Sequence, residues 1–339
     1  MKKETIIITC AALLGSLGLG VMLWHDLMGS PFELTEPAYV YVRPGTDTDA
    51  IVRQLRYNAH ATSVRGFTWG ARLLGYTPRT GRYIVRPGDS MLTVLRRMRN
   101  GHQEPVRLTL PSTRGLNRVA GVLGRKLMLD SAMVANAFAD SAFIASTGYT
   151  TATFPALFIP DTYEVYWDIS LDELMERLER ENEAFWQRNG RADSATAMGL
   201  TREEVYTLAS IVDEETASTA EKPEVAGLYL NRLHIDMPLQ ADPTVKFAVG
   251  DETLRRITGE HLATESPYNT YKHTGLPPGP IRIATQAGID AVLHATRHTY
   301  IYMCAREDFS GRHNFATTFG EHQNNARRYQ RALNARGIK

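Results

Sequence analysis

TREEVYTLASIVDEET, residues 201–216, is a helix written out in full. Thr201 and Glu204 have the spacing of a capping box, in which each side chain satisfies the other residue's backbone N–H. Val205, Leu208, Ala209 and Val212 then recur as an apolar helical stripe. The helix ends in three consecutive acids, Asp213, Glu214 and Glu215. A helix turns about 100° per residue, so the three cannot share one environment. Against the stripe of Val205, Leu208, Ile211 and Val212, Glu214 points nearly opposite and Asp213 lies well to the side. Glu215, seven residues after Leu208, falls near the buried edge. A carboxyl partly removed from water holds its proton more tightly, which moves it toward the range of a general acid. An ordinary acidic helix end has the same pattern, so helical phase says which acid stands apart and not what it does.

Working outward, Pro223 suits the first turn of a second helix, with Val225, Leu228, Tyr229 and Leu233 facing inward. Asp242-Pro243-Thr244 has the form of a third start, with Asp242 as its cap. Gln240, Asp242, Tyr268, Asn269, Thr270 and Tyr271 form a cluster of amides, hydroxyls and rings, followed by the Gly-Pro run 275–281. Amides bind sugar hydroxyl and N-acetyl groups, rings stack on sugar faces, and a stiff loop fixes a groove wall with little entropy left to lose. Tyr300–Cys304 reads as a strand with His313–Phe315 as hairpin partner, and Glu321–Ala335 as a closing helix. Upstream, a strand over Val106–Leu110 precedes helical segments reaching about Ala145. Residues 154–163 are apolar, aromatic and broken by prolines, which predicts a packed loop. Leu171–Arg188 is a charged helix, stopped by Asn189-Gly190.

The N-terminal part holds one pattern used twice. Tyr41-Val42-Arg43-Pro44-Gly45-Thr46 returns 43 positions later as Ile84-Val85-Arg86-Pro87-Gly88-Asp89. Each predicts a strand, a Pro-Gly turn and a capped helix, together a small α/β module reminiscent of LysM glycan-binding domains; a spacer has the same pattern. Before it, Thr5–Trp24 is twenty residues without a charge, enough for roughly 30 Å of helix, the thickness of a bilayer's hydrocarbon core. No small-residue cleavage box follows, and Trp24 suits an interface, so a retained anchor is expected in preference to a signal peptide. Lys2 and Lys3 precede the span and no Lys or Arg follows before Arg43, which puts the N-terminus inside and the rest outside the cytoplasm. The expected organisation is α+β: tail 1–4, transmembrane helix 5–24, linker 25–36, LysM-like module 37–105, and a larger mixed catalytic domain 106–339.

Composition narrows the chemistry. The 339 residues carry 38 basic and 37 acidic side chains, so no overall field draws in nucleic acid or holds the soluble part on anionic lipid. Two cysteines, Cys10 and Cys304, make no disulfide framework. The His-Glu-x-x-His, Walker and Gly-x-Ser-x-Gly patterns are absent. Cys304 reads as core, and His313 and His322 match no helical metal pairing. No metal and no cofactor is expected.

At Leu208–Thr216, Asn231-Arg232-Leu233, Leu239–Thr244, Ser266–Tyr271, Gly275–Ile281 and His313–His322 the chain resembles the endolytic murein transglycosylase, or YceG-like, family. Residues 158–163 and the N-terminal helix fit as well. Where family members commonly carry Asn-Pro-Gly, this chain has Thr285-Gln286-Ala287, and Thr285 can still cap the helix that follows. The resemblance implies that Glu215 is the essential glutamate of a lyase. Protonated, it would give its proton to the β-1,4 glycosidic oxygen between N-acetylmuramic acid and N-acetylglucosamine. As a carboxylate it would then take the proton of the muramoyl 6-hydroxyl closing on C1, leaving a 1,6-anhydro end. That needs one acid/base where ordinary glycosidases pair two carboxylates. Gln240, Tyr268, Asn269 and Thr270 are the candidates for holding the sugar. The implied substrate is nascent peptidoglycan, whose elongation the cut would terminate, with peptidoglycan synthases as partners and the cytoplasmic membrane as location. The alternatives are a hydrolytic muramidase using Glu215 with Asp242, and a non-catalytic glycan-binding anchor.

Overall fold

The computed structural model describes residues 2–251, 254 and 256–337 of the chain. The chain divides into two units. One takes everything up to Leu108 with 126–128 and 164–169, and the other takes 109–125, 129–163 and the chain from Ser170 onward. Of the tail expected over 1–4, Met1 lies outside the described residues.

The first unit begins with helix α1 (Lys2–Met28). Its stretch Ile7–Met28 is long and apolar enough to cross a membrane. The helix runs four residues past Trp24, and its end is fastened instead of trailing into a loose connector. Met91 N–H donates to Gly29 O at 3.2 Å, Thr62 N–H to Pro31 O at 2.9 Å and Glu33 N–H to His60 O at 3.3 Å. Strand β1 (Ala38–Val42), helices α2 (Thr48–Tyr57) and α3 (Arg65–Leu73), strand β2 (Gly81–Val85) and helix α4 (Met91–Arg99) follow. β1 and β2 are antiparallel, with Val40 opposite Tyr83. Val40, Val42, Ile51, Leu55, Phe67, Tyr83, Leu95 and Met98 are buried together as this unit's core.

The sequence repeat is a structural one. Arg43 N–H donates to Thr46 Oγ1 at 2.9 Å and Arg86 N–H to Asp89 Oδ2 at 2.8 Å. Gly45 and Gly88 take the left-handed backbone that both turns need, at φ 77 and 82. Thr46 and Asp89 thereby close the turns, and the caps of α2 and α4 fall to the next residues, Asp47 and Ser90. The near-neutral whole-chain charge conceals a local excess: residues 37–108 carry twelve arginines, no lysine and four acids.

A two-stranded sheet pairs β3 (Val106–Thr109) with β4 (Thr162–Val165). Between them lie α5 (Leu116–Lys126), α6 (Ser131–Ala137) and α7 (Ser141–Ser146). The packed stretch before β4 is a single 3-10 turn, Phe154–Leu157, and Phe138, Phe154 and Phe158 meet edge to face with centroids 5.3–5.5 Å apart.

The second unit's helices are α8 (Leu171–Gln187), α9 (Arg191–Ala197), α10 (Arg202–Glu215), α11 (Lys222–His234), α12 (Asp242–Val249), α13 (Gly259–Leu262) and α14 (Gln286–Leu293). The hairpin β5 (Tyr302–Ala305) and β6 (His313–Ala316), with Cys304 opposite Asn314, leads to α15 (Phe319–Ala335). α10 is the axis of this unit. Every residue from Val205 to Asp213 is buried, because α9, α11, α12 and α14 pack against it. A helix covered on all sides needs no polar face, so the amphipathic stripe read in the sequence is only its most apolar side.

Candidate active site

The capping box forms as the spacing predicts: Glu204 N–H donates to Thr201 Oγ1 at 3.1 Å and Thr201 N–H to Glu204 Oε2 at 2.8 Å. This is worth about 1 kcal/mol and fixes where α10 starts, and so where it ends. Tyr206, Ser210 and Asp213 lie along one side of α10 and hold the extended segment 281–285, whose backbone has no ladder of its own. Ser210 Oγ accepts from Ile281 N–H at 3.0 Å, Tyr206 Oη from Ala284 N–H at 3.0 Å and Asp213 from Thr285 N–H at 2.5 Å. Each is a buried backbone donor that would otherwise go unpaired.

The three acids stand at the C-terminal end of α10, where the helix dipole disfavours negative charge. Asp213 answers this by pairing with the buried Lys222 ammonium and by accepting the Thr285 hydroxyl at 2.9 Å. Thr285 in turn caps α14, accepting from Gly288 N–H at 2.9 Å, as its position predicts. Glu214 is mostly covered instead of standing free in solvent as its helical phase suggests, with its side chain 7% exposed. Arg114 Nε donates to it at 2.8 Å and Arg282 Nη1 at 2.9 Å. Burial pushes its pKa up, but the Arg114 hydrogen bond and the charges of Arg282 and Arg114 outweigh this and leave it below the ordinary value.

Among the described residues, no Lys or Arg forms a salt bridge with Glu215, whereas Asp213 and Glu214 each have one. Tyr229 Oη, buried in α11, donates to its Oε1 at 2.7 Å. Burial raises its pKa to about 7, against the opposing pull of the Tyr229 hydrogen bond and the His313 charge and with the help of the Asp242 charge. Burial alone does not distinguish Glu215 from its neighbours, since all three are largely covered. What does is that, among the described residues, only Glu215 of the three has no Lys or Arg pair.

One pocket, of about 240 Å3, puts Glu215 and Tyr229 together with Arg232, Gln240, Asp242, Tyr271, Cys304 and His313. A second, of about 680 Å3, lies beyond and is lined by Arg114, Lys246, Arg256 and Tyr329; Glu215 and Asp242 line both. Of the sugar-holding candidates, Gln240 is in the first pocket, in a left-handed backbone (φ 48) that costs an ordinary residue about 1–2 kcal/mol. Tyr268, Asn269 and Thr270 are not among the residues lining either pocket. Tyr268 packs on Phe247 with centroids 4.7 Å apart. Asn269 is fully buried, and its amide donates to Leu262 O at 3.0 Å and Thr264 O at 2.8 Å. Thr270 accepts from Ala241 N–H at 3.0 Å. Thr270 therefore holds the loop that carries Gln240, while Asn269 ties the turn before it to 262–264.

Asp242 is not a cap. Ala241 stands at the N-cap of α12, and Asp242 Oδ1 accepts from Tyr271 Oη at 2.7 Å while facing the pocket. Cys304, expected in the core, lines the pocket as well. Tyr271, part of the sequence cluster, lines the pocket, and the pocket residues whose part sequence did not show are Tyr229, Arg232 and His313. Arg232 donates to Ile301 O at 2.6 Å and Leu239 O at 2.7 Å, tying β5 to the Gln240 loop. Glu221 accepts the His313 backbone N–H at 2.7 Å and lies 3.1 Å from its Nδ1, leaving Nε2 without a partner among the described residues. Burial works to raise the Glu221 pKa, but the His313 and Thr216 hydrogen bonds outweigh it and keep it low, so Glu221 is a lasting anion behind that ring.

The raised Glu215 pKa has a stability signature. Unfolded, the carboxyl ionises near its ordinary 4.5; folded, it keeps its proton to about 7. Its contribution is therefore full below 4.5 and lost as pH rises through about 7. The melting temperature of wild type should fall relative to Glu215→Gln between those limits. Parallel curves would mean that the folded carboxyl is ionised throughout.

A model of the YceG-like family matches residues 40–328. The endolytic murein transglycosylase of Bacillus subtilis (strain 168) is 24% identical over 332 residues, taking in 91% of this chain and 90% of that protein. Its counterpart in Streptococcus pneumoniae (strain D39) is 27% identical over 278 residues, 70% of this chain and 49% of that longer protein. A crystal structure of a YceG-like protein from Listeria monocytogenes, 25% identical, superposes with a TM-score of 0.57 over 86% of this chain and 99% of that one.

Proposed function

The chain belongs to the YceG-like family, and from that premise we propose that it is an endolytic murein transglycosylase with Glu215 as its acid and base. The observation that carries the assignment is a covered carboxyl held by Tyr229 Oη and facing an open pocket, the one acid of three with no Lys or Arg pair among the described residues, and its burial raises its pKa to about 7. Near neutral pH such a group can both give and take a proton, which suits a single residue used twice. It first protonates the glycosidic oxygen, then accepts the 6-hydroxyl proton as that oxygen closes on C1 to give the 1,6-anhydro end. Tyr229 holds Oε1, leaving Oε2 for the proton that moves. Two adjoining pockets that share Glu215 and Asp242 leave room for a strand that runs past the acid, as a cut away from the ends requires. Gln240 and Tyr271 are the polar groups within reach of the sugar.

Asp242 gives the hydrolytic reading a specific support, since it lines the same pockets as Glu215 and is the second carboxylate a hydrolase needs. Against it, one Asp242 oxygen is committed to Tyr271. Mass spectrometry of the cut strands decides, because an anhydro end is lighter than a reducing end by one water. Anhydro ends are expected, and reducing ends alone would make the protein a muramidase.

The membrane reading of α1 has structural support beyond apolarity. The first unit packs on Asp26 and Leu27 and hydrogen-bonds Gly29, residues that cleavage after the apolar run would leave without their helix. This supports a retained single span, and Lys2 and Lys3 before it favour the N-terminus inside with both units outside the cytoplasm. The strand–helix–helix–strand order of 38–85 supports a LysM-like, glycan-binding role for that unit. Cutting nascent strands beside a peptidoglycan synthase is the setting these features suit.

A further inference from the structure

We infer that α3 is a membrane-interface helix, docking its exposed face onto the anionic phospholipid headgroups of the bilayer that α1 crosses. This rests on the reading of α1 as a retained anchor. α3 is apolar on both faces. Gly66, Phe67, Gly70 and Ala71 are buried, yet Trp69 remains 51% and Leu73 80% exposed on the other side, with Arg65 and Arg72 exposed beside them. Positions 65, 69, 72 and 73 follow the i, i+4, i+7, i+8 spacing of one helix face.

The place of that face is set by the buried one. A Cβ on Gly66 would stand 2.0 Å from the Asp26 carbonyl oxygen, and one on Gly70 3.0 Å from Leu27 Cδ2. α3 therefore lies against the last turn of α1, at Asp26, the first charged residue after Glu4. Arg65 Nε is 3.9 Å from Asp26 Oδ2. With α1 inserted, this is the level at which hydrocarbon gives way to headgroups. A Trp and a Leu with flanking arginines is the composition of a helix lying in that layer, the ring and aliphatic chain entering it and the guanidinium groups meeting phosphate. The excess of twelve arginines over four acids in residues 37–108 favours an anionic lipid surface.

The test uses the full chain in vesicles containing brominated lipids, which quench tryptophan on contact. Comparing wild type with Trp69→Phe and with Trp24→Phe isolates the two emissions. Trp24 should be quenched because α1 spans, and Trp69 should be quenched too, most strongly by lipids brominated near the headgroup. Adding phosphatidylglycerol to phosphatidylcholine should increase the Trp69 quenching, and Arg65→Gln/Arg72→Gln should remove that increase, at roughly five-fold in docked-to-undocked ratio per arginine. Quenching of Trp24 with Trp69 untouched overturns the inference and leaves the anchor standing. Absence of quenching at Trp24 overturns the anchor and the inference with it. Trp69 quenching indifferent to both phosphatidylglycerol and the double variant overturns the choice of anionic headgroups.

Discussion

Replacing Glu215 by Gln is expected to cut glycan cleavage by about 10²–10⁴-fold while leaving the fold intact. The amide is the same size, and its carbonyl oxygen can still accept from Tyr229 Oη, 2.7 Å from Glu215 Oε1 in wild type. What is lost is the proton, and with it both the acid that frees the leaving sugar and the base that closes the anhydro ring. The assay is release of shorter strands from purified glycan, read together with a melting curve below pH 4.5, where Glu215 carries its proton folded and unfolded and the two proteins should melt alike. Cleavage at the wild-type rate would remove Glu215 from the mechanism. Binding of glycan without cleavage by wild type itself would favour the non-catalytic reading.

The second large effect concerns stability. Asp213→Ala should cost about 3–5 kcal/mol, because it leaves the Lys222 ammonium buried without its counter-ion. It also orphans the Thr285 N–H and loosens the start of α14. Cleavage should fail on warming and return when the variant is assayed cold, whereas Glu215→Gln stays inactive at every temperature. Asp213→Ala/Lys222→Met removes both charges and should recover part of the loss; a double variant no more stable than the single one would deny that the stranded ammonium is the cause.

The two substitutions show what a run of three acids could reveal in sequence and what it could not. Capping box, helix end and the phase of Glu215 follow from local chemistry, and so do the twin Arg-Pro-Gly turns. Most partners that give each acid its job come from far along the chain, Arg114 and Arg282 for Glu214 and Thr285 for Asp213, while Lys222 reaches Asp213 from the start of the next helix. Asp242 was misread for the same reason. Asp-Pro-Thr is a sound helix start locally, and nothing near it announces that Tyr271, 29 residues on, will take the carboxylate. Asn269 and Thr270 have the groups that bind sugars, and those same groups bind backbone when buried. His313 becomes a candidate only beside Glu221, 92 residues earlier. α3 escaped notice because its small glycines face inward and its Trp and Leu outward, the reverse of the pattern that marks a soluble helix.

The fastening of α1 to the first unit has a mechanical consequence. Three backbone hydrogen bonds and the seating of Gly66 on Asp26 leave no swivel at the point where the chain leaves its long helix. With α1 in a bilayer, the first unit can spin only as the helix spins in lipid and tilt only as it tilts. A pull on that unit along the membrane normal is carried by several bonds sheared at once, and no slack chain first takes up the load. A side chain at Gly66 would pry the joint apart and turn a rigid mast into a tether.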